Sequence, residues 1–191
     1  MTELSILSPS QTVGPYLSIG LLRGLITPEV VDPGDPRALR LRGSLLDGAG
    51  EPVPDGMIEI WQANAHGRYA HPADTREELP LVDGFRGFGR SGTAPAGRFE
   101  FVTVKPGRVP GPDGRLQAPH VNVSVFARGL LKHAVTRIYF PDEAEANAAD
   151  PVLSALSSDE ARAGLTAVAE GGALRFDIRL QGDRATTFFA V

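Results

Sequence analysis

The run Pro119–Gly129, PHVNVSVFARG, alternates without a break. His120, Asn122, Ser124, Phe126 and Arg128 fall on one face; Val121, Val123, Val125 and Ala127 fall on the other. A period of two over that length describes a strand with one buried face and is incompatible with a helical stripe. The same period recurs in Leu39–Leu46 (LRLRGSLL), Met57–Gln62 (MIEIWQ), Arg98–Val104 (RFEFVTV), Ala134–Phe140 (AVTRIYF) and Leu174–Gln181 (LRFDIRLQ). In the last of these Leu174, Phe176, Ile178 and Leu180 are expected to point inward, and Thr186–Val191 reads as a short closing strand. Ala134–Phe140 is expected to pair with Pro119–Gly129 as a hairpin turning near Gly129. Dispersed Gly (22) and Pro (16) suit frequent turns between short strands.

One helical region is expected near residues 150–170, with Ser157 or Ser158 capping its second part ahead of Asp159 and Glu160. Residues 63–95 carry no convincing period, so they are either a functional loop or hide short strands. Residues 1–37, with Pro9, Pro15, Pro28, Pro33 and Pro36, read as an irregular arm that must lie on another surface. The prediction is therefore an all-β sandwich in a single domain, 1–191, made of the N-terminal arm (1–37) and a core (38–191).

Composition narrows the function classes. The chain is 42% hydrophobic and 22% charged, as expected of a soluble globular protein. A net charge of -4 argues against nucleic acid or an anionic membrane as main partner. There is no apolar run long enough to span a bilayer, and MTELSILSPSQTVGPY lacks the basic and apolar regions of a signal peptide. Cysteine is absent, which excludes disulfides and thiolate chemistry and agrees with a cytoplasmic setting.

The four histidines are His66, His71, His120 and His133. His66, His71 and His133 lie in expected loops or turns, where a histidine is usually a solvated turn residue. His120 shares its face with Asn122, and His-x-Asn is a poor clamp because an amide binds transition metals far less well than imidazole. A half-solvated polar sheet face explains these residues equally well. Arg128 lies eight residues beyond His120, roughly 26 Å along a strand, so one small ligand does not reach both. A guanidinium fork at a strand end suits a carboxylate.

Six separated stretches carry a resemblance: SPSQTVGPY (Ser8–Tyr16), IEIWQANAHGRY (Ile58–Tyr69), FVTVKPG (Phe101–Gly107), APHVNVSVFARG (Ala118–Gly129), TRIYF (Thr136–Phe140) and RFDIRLQG (Arg175–Gly182). Together they resemble the intradiol ring-cleaving dioxygenases, on the side of the α chain in members built from two related chains, α and β. The resemblance implies a β-sandwich and a non-haem Fe(III) held in the catalytic chain by two tyrosines and two histidines. The motifs of that chain read Gly-Arg-Tyr, Lys-Pro-Gly-Pro-Tyr-Pro and His-Ile-His. Carried onto this sequence, the four ligand positions are Tyr69, Val109, His120 and Asn122. The arginine that supports the catalytic chain's chemistry falls on Gln117. Two donors are missing, so the resemblance implies that iron is held by the β chain and none by this one.

It also implies that Thr12, Gly14, Pro15, Tyr16 and Arg128 reach into the β-held site of an (αβ)n hetero-oligomer. There a small-molecule catechol, protocatechuate, would be cleaved with O2 between its hydroxyl-bearing carbons to 3-carboxy-cis,cis-muconate, in aromatic degradation. Arg128 would pair with the substrate carboxylate, and Gly14-Pro15 would form a stiff wall beside the ring. Two other readings compete. One is a self-sufficient intradiol enzyme with His66 or His71 as a substitute ligand; the other is a non-catalytic, transthyretin-like binding module.

Overall fold

The computed structural model describes residues 12–190. Its strands are β1 (Leu39–Leu46), β2 (Met57–Trp61), β3 (Phe88–Gly92), β4 (Arg98–Thr103), β5 (Val109–Pro110), β6 (Leu116–Gln117), β7 (His120–Phe126), β8 (Ala134–Tyr139), β9 (Val168–Glu170), β10 (Ala173–Arg175) and β11 (Ile178–Arg179). Helix is confined to short pieces: α1 (Pro15–Leu17), continued by a π-helical turn over Ser18–Leu22, then α2 (Ala144–Ala148), α3 (Pro151–Ser154) and α4 (Asp159–Ala163).

Two sheets pack face to face. One is antiparallel in the order β3-β2-β7-β8. The other centres on β1, with β4 along one side and β10 and β11 along the other, β9 pairing outside β10. The valine face of β7 is the buried one, as its period requires: Val121, Val123 and Val125 are at most 1% exposed. They share a single core with Ile58, Ile60 and Ile138 of their own sheet and with Leu41, Leu45, Phe99 and Phe101 of the facing one. This is the expected sandwich, and β7 and β8 form the expected hairpin, with Val123 opposite Thr136.

Several local expectations change. The Leu174–Gln181 run is two strands, because the chain breaks at Phe176–Asp177. Both pieces pair parallel with β1, Leu41 opposite Leu174 and Leu45 opposite Ile178. Gly43 faces the break, where a Cβ would stand 1.8 Å from the Phe176 carbonyl oxygen. The Ser44 N–H then donates to Asp177 Oδ1 at 3.0 Å, so a side chain replaces the missing ladder acceptor. Thr186–Val191 does not form a strand within the described residues. Phe189 alone bridges to Val135, and the Thr136 hydroxyl donates to the Thr187 carbonyl at 2.7 Å.

The 63–95 segment does contain a strand, β3. Its inward positions are Gly89, where a Cβ would meet Val30 at 2.8 Å and Ile60 at 3.0 Å, and Ser91, so no hydrophobic alternation marks it. Val30, from the stretch read as arm, is fully buried in that space, and its N–H donates to the Val102 carbonyl at 2.8 Å. Thr27 and Arg90 exchange backbone hydrogen bonds at 3.0 Å in both directions. Val30 and Val31 are thus laid into the sandwich, while exposed stretches of the arm lie on both sides of them. The helical region begins earlier than expected, at Ala144, and its last stretch is strand β9. Of the two serines, Ser158 is the cap, its hydroxyl accepting from the Ala161 N–H at 3.0 Å.

Candidate functional site

The loop 62–76 is organised by side chains instead of a ladder. Asn64 accepts through Oδ1 from the N–H groups of His66 (2.9 Å) and Arg68 (3.1 Å), and its Nδ2 donates to the Pro80 carbonyl at 2.9 Å. Gly67, at φ +80°, and Gly107 let this loop press against the one after β4. A Cβ on Gly67 would lie 2.3 Å from the Arg108 carbonyl oxygen, and one on Gly107 would lie 2.5 Å from the Gly67 nitrogen. That close approach sets Tyr69 and Val109 on one cavity of about 360 Å³, which Trp61 also borders. Tyr69 stacks on Trp61 with ring centroids 5.7 Å apart and planes 8° apart. Its N–H donates to Asp74 Oδ2 at 2.8 Å. The Arg76 guanidinium beside Asp74 holds that carboxyl well below the usual carboxylate range.

His120 opens β7 and is 4% exposed. Its Nδ1 lies 2.8 Å from the Ala118 carbonyl oxygen, a contact in which the ring nitrogen donates, fixing the tautomer. Asn122 donates instead to the Trp61 carbonyl, at 3.3 Å. The four positions that the resemblance aligns with iron ligands therefore offer one phenol, one imidazole, one amide already engaged and one valine. That donor set does not fit a mononuclear Fe(III), which needs anionic oxygen and imidazole donors in number. Among the described residues no three His, Cys, Asp or Glu gather as a metal cluster.

Two residues here escaped the sequence reading. Arg137 on β8 pairs opposite Asn122, and its Nη1 donates to Gln117 Oε1 at 2.5 Å and to the Tyr139 hydroxyl at 3.4 Å. The second is Asp150, which is fully buried. Its carboxylate accepts from Ala118 N–H (2.7 Å), Val152 N–H (2.8 Å), Leu153 N–H (2.9 Å) and the Tyr139 hydroxyl (3.3 Å). It caps α3 and at the same time anchors the entry to β7. Arg137 stood unremarked inside the TRIYF stretch of the resemblance; for Asp150 the Asp-Pro step ahead of a helix was the available signal.

Burial, reinforced by the Arg137 charge, lowers the His120 pKa to about 4. Burial likewise pushes the Tyr139 phenol up to about 12. A histidine buried neutral binds fewer protons folded than unfolded between its two pKa values. Stability is therefore full above about pH 6.5 and falls as pH drops towards 4, by as much as about 3 kcal/mol. Thermal melts from pH 7 to 4 are expected to show this loss, and His120→Phe to flatten it. An equal slope in the variant would remove His120 as its source.

The opposite end of β7 holds the other expected residues. Arg128 sits in the turn after β7, exposed, with Nη1 3.1 Å from Asp55 Oδ2. The neighbouring Gly129 N–H donates to the Thr12 hydroxyl at 2.7 Å, tying the arm to the turn. Gly14 is the N-cap of α1 and Pro15 its first residue. Thr12, Gly14 and Tyr16 line a cavity of about 810 Å³ with Phe126, Leu131, Lys132 and His133, among others. His133, read from the sequence as a solvated turn residue, stacks on Phe126 at 5.4 Å. Tyr16 is 83% exposed, and Ile19, Leu25 and Ile26 extend the apolar surface of the arm. Ser8–Gln11 of the arm motif lie outside the described residues.

The family model described as Dioxygenase matches residues 26–182, and the chain belongs to that family, in its intradiol branch. The protocatechuate 3,4-dioxygenase alpha chain of Burkholderia cepacia is 44% identical over 200 residues, covering 96% of this chain and 97% of that one. The beta chain from the same organism is 36% identical over 179 residues, covering 88% and 75%. Among solved structures, the dioxygenase domain of a dioxygenase–carbohydrate-binding fusion from Streptomyces sp. SirexAA-E superposes with a TM-score of 0.59 at 25% identity, over 82% of this chain and 88% of that one. Among the described residues no helix is long and apolar enough to cross a membrane.

Proposed function

We propose that this chain is the α subunit of a protocatechuate 3,4-dioxygenase. In this reading it pairs with a homologous β subunit that holds the iron, and completes that site with Thr12, Gly14, Pro15, Tyr16 and Arg128. The observation that carries the reading is the Thr12–Gly129 hydrogen bond. It joins the arm to the Arg128 turn as one surface, at the end of β7 away from the chain's own incomplete centre. The exposed Tyr16, Ile19, Leu25 and Ile26 form an apolar face of the kind that a partner covers.

The division of labour follows from the side chains. Arg128 presents five donors in a fixed fork, which matches the carboxylate that distinguishes protocatechuate from catechol. Gly14 and Pro15 bring backbone close without side-chain bulk, leaving a flat wall for a planar ring. Thr12 holds the wall to the turn, and the arm as a whole excludes water. The partner's iron supplies the activation of catechol and O2 for cleavage between the hydroxyl-bearing carbons to 3-carboxy-cis,cis-muconate.

Expression of this chain alone and together with a β partner tests the reading. The lone chain is expected to show neither turnover nor stoichiometric iron, and the co-expressed pair to co-purify and consume O2 with protocatechuate. Turnover by the lone chain would overturn it.

A further inference from the structure

The geometry points to Arg137 as the occupant of the vacated metal centre: its guanidinium lies among the former ligand positions, so this chain excludes a metal ion as well as lacking two donors. The registers locate it. Arg137 pairs directly opposite Asn122 on β7, and the next residue of the same face, Tyr139, pairs opposite His120. Its Nη1 reaches Gln117, and Gln117 is in turn the register partner of Val109. Of the four aligned positions, Asn122 thus lies directly opposite it, His120 lies diagonally across, two residues along the strands, and Val109 lies opposite its hydrogen-bond partner Gln117. The fourth, Tyr69, shares the cavity with Val109.

A cation fixed by Gln117, by Tyr139 and by the Phe189 ring, 5.9 Å from its Cζ, is not free to leave for an incoming ion. A multivalent metal entering the centre would meet like charge at short range in partly desolvated surroundings, where such repulsion is strongest.

Restoring the donors separates this idea from simple ligand loss. Val109→Tyr has the cavity of about 360 Å³ to enter. The full chain carrying Val109→Tyr and Asn122→His is compared with the same chain carrying Arg137→Gln in addition. Each is exposed to Fe(III), purified, and read by metal content per chain and by the visible tyrosinate-to-iron absorption. Circular dichroism checks the fold, and Arg137→Met serves as a second neutral replacement should the Gln variant not fold. The double variant is expected to stay free of stoichiometric metal, and removal of Arg137 to raise bound metal at least about tenfold, towards about one per chain. Arg137→Lys in the same background, keeping the charge, is expected to exclude metal again. Stoichiometric metal in the double variant, or folded neutral variants that remain metal-free, would overturn the inference. It rests on the family membership, while the substrate-binding reading concerns the other end of β7 and would survive its failure.

Discussion

In the assembled enzyme, Arg128→Ala is expected to raise the KM for protocatechuate by about 10- to 100-fold, with kcat changed far less. A hydrogen bond between charged groups contributes about 1.5–3 kcal/mol, and each 1.4 kcal/mol is tenfold in affinity. Catechol, lacking the carboxylate, loses nothing when Arg128 is removed, so discrimination between the two substrates falls by the same factor. The variant should fold normally. Arg128 and Asp55 are 66% and 47% exposed in their side chains, and such surface pairs contribute little. For the same reason Asp55→Ala should leave the KM unchanged or lower it slightly, by freeing the guanidinium. Arg128→Lys keeps the charge without the fork and is expected to fall between wild type and alanine. An unaltered preference for protocatechuate in Arg128→Ala would take this residue out of substrate recognition.

Asp150→Ala is expected to cost about 3 kcal/mol of folding stability, read as a lowered midpoint in urea with an unchanged m-value. Loss of a helix N-cap accounts for about 1 kcal/mol. Stranding the buried Ala118 N–H, 2.7 Å from Oδ2, adds about 1–3 kcal/mol, because nothing else beside it accepts that bond. The total is a large share of the 5–15 kcal/mol typical of a domain. Asp150→Asn keeps the cap oxygen but turns an amine towards one of the N–H groups, so a smaller loss is expected. A change below about 0.5 kcal/mol in Asp150→Ala, the scale of ordinary surface substitutions, would show that the carboxylate is not what joins α3 to β7.

Because each has one face on the core and one on solvent or a polar rim, period-two alternation located β1, β2, β4 and β8 to within a residue or so and the start of β7 likewise, though β7 ends at Phe126, short of Arg128. It failed at β3, where Gly89 leaves its inward space to Val30 from the N-terminal stretch. It overextended at Leu174–Gln181, where the close approach of Gly43 to the Phe176 carbonyl interrupts the pairing. The site was legible in the same partial way. Donor chemistry at Val109 and Asn122 could be judged residue by residue. The guanidinium among them could not, since Arg137 follows an ordinary strand pattern and becomes significant only opposite Asn122.

The sequence by itself determined the sandwich class, the buried face of β7, and that Val109 and Asn122 are poor donors for a transition metal. Those follow from residues adjacent in the chain or from the chemistry of single side chains. Only the tertiary structure decided that β1 is closed by parallel pairing with β10 and β11, that Arg137 stands opposite Asn122, and that Thr12 meets Gly129. The last contact spans 117 residues of chain. Such contacts depend on which surfaces the packed core brings together, and no local period records that.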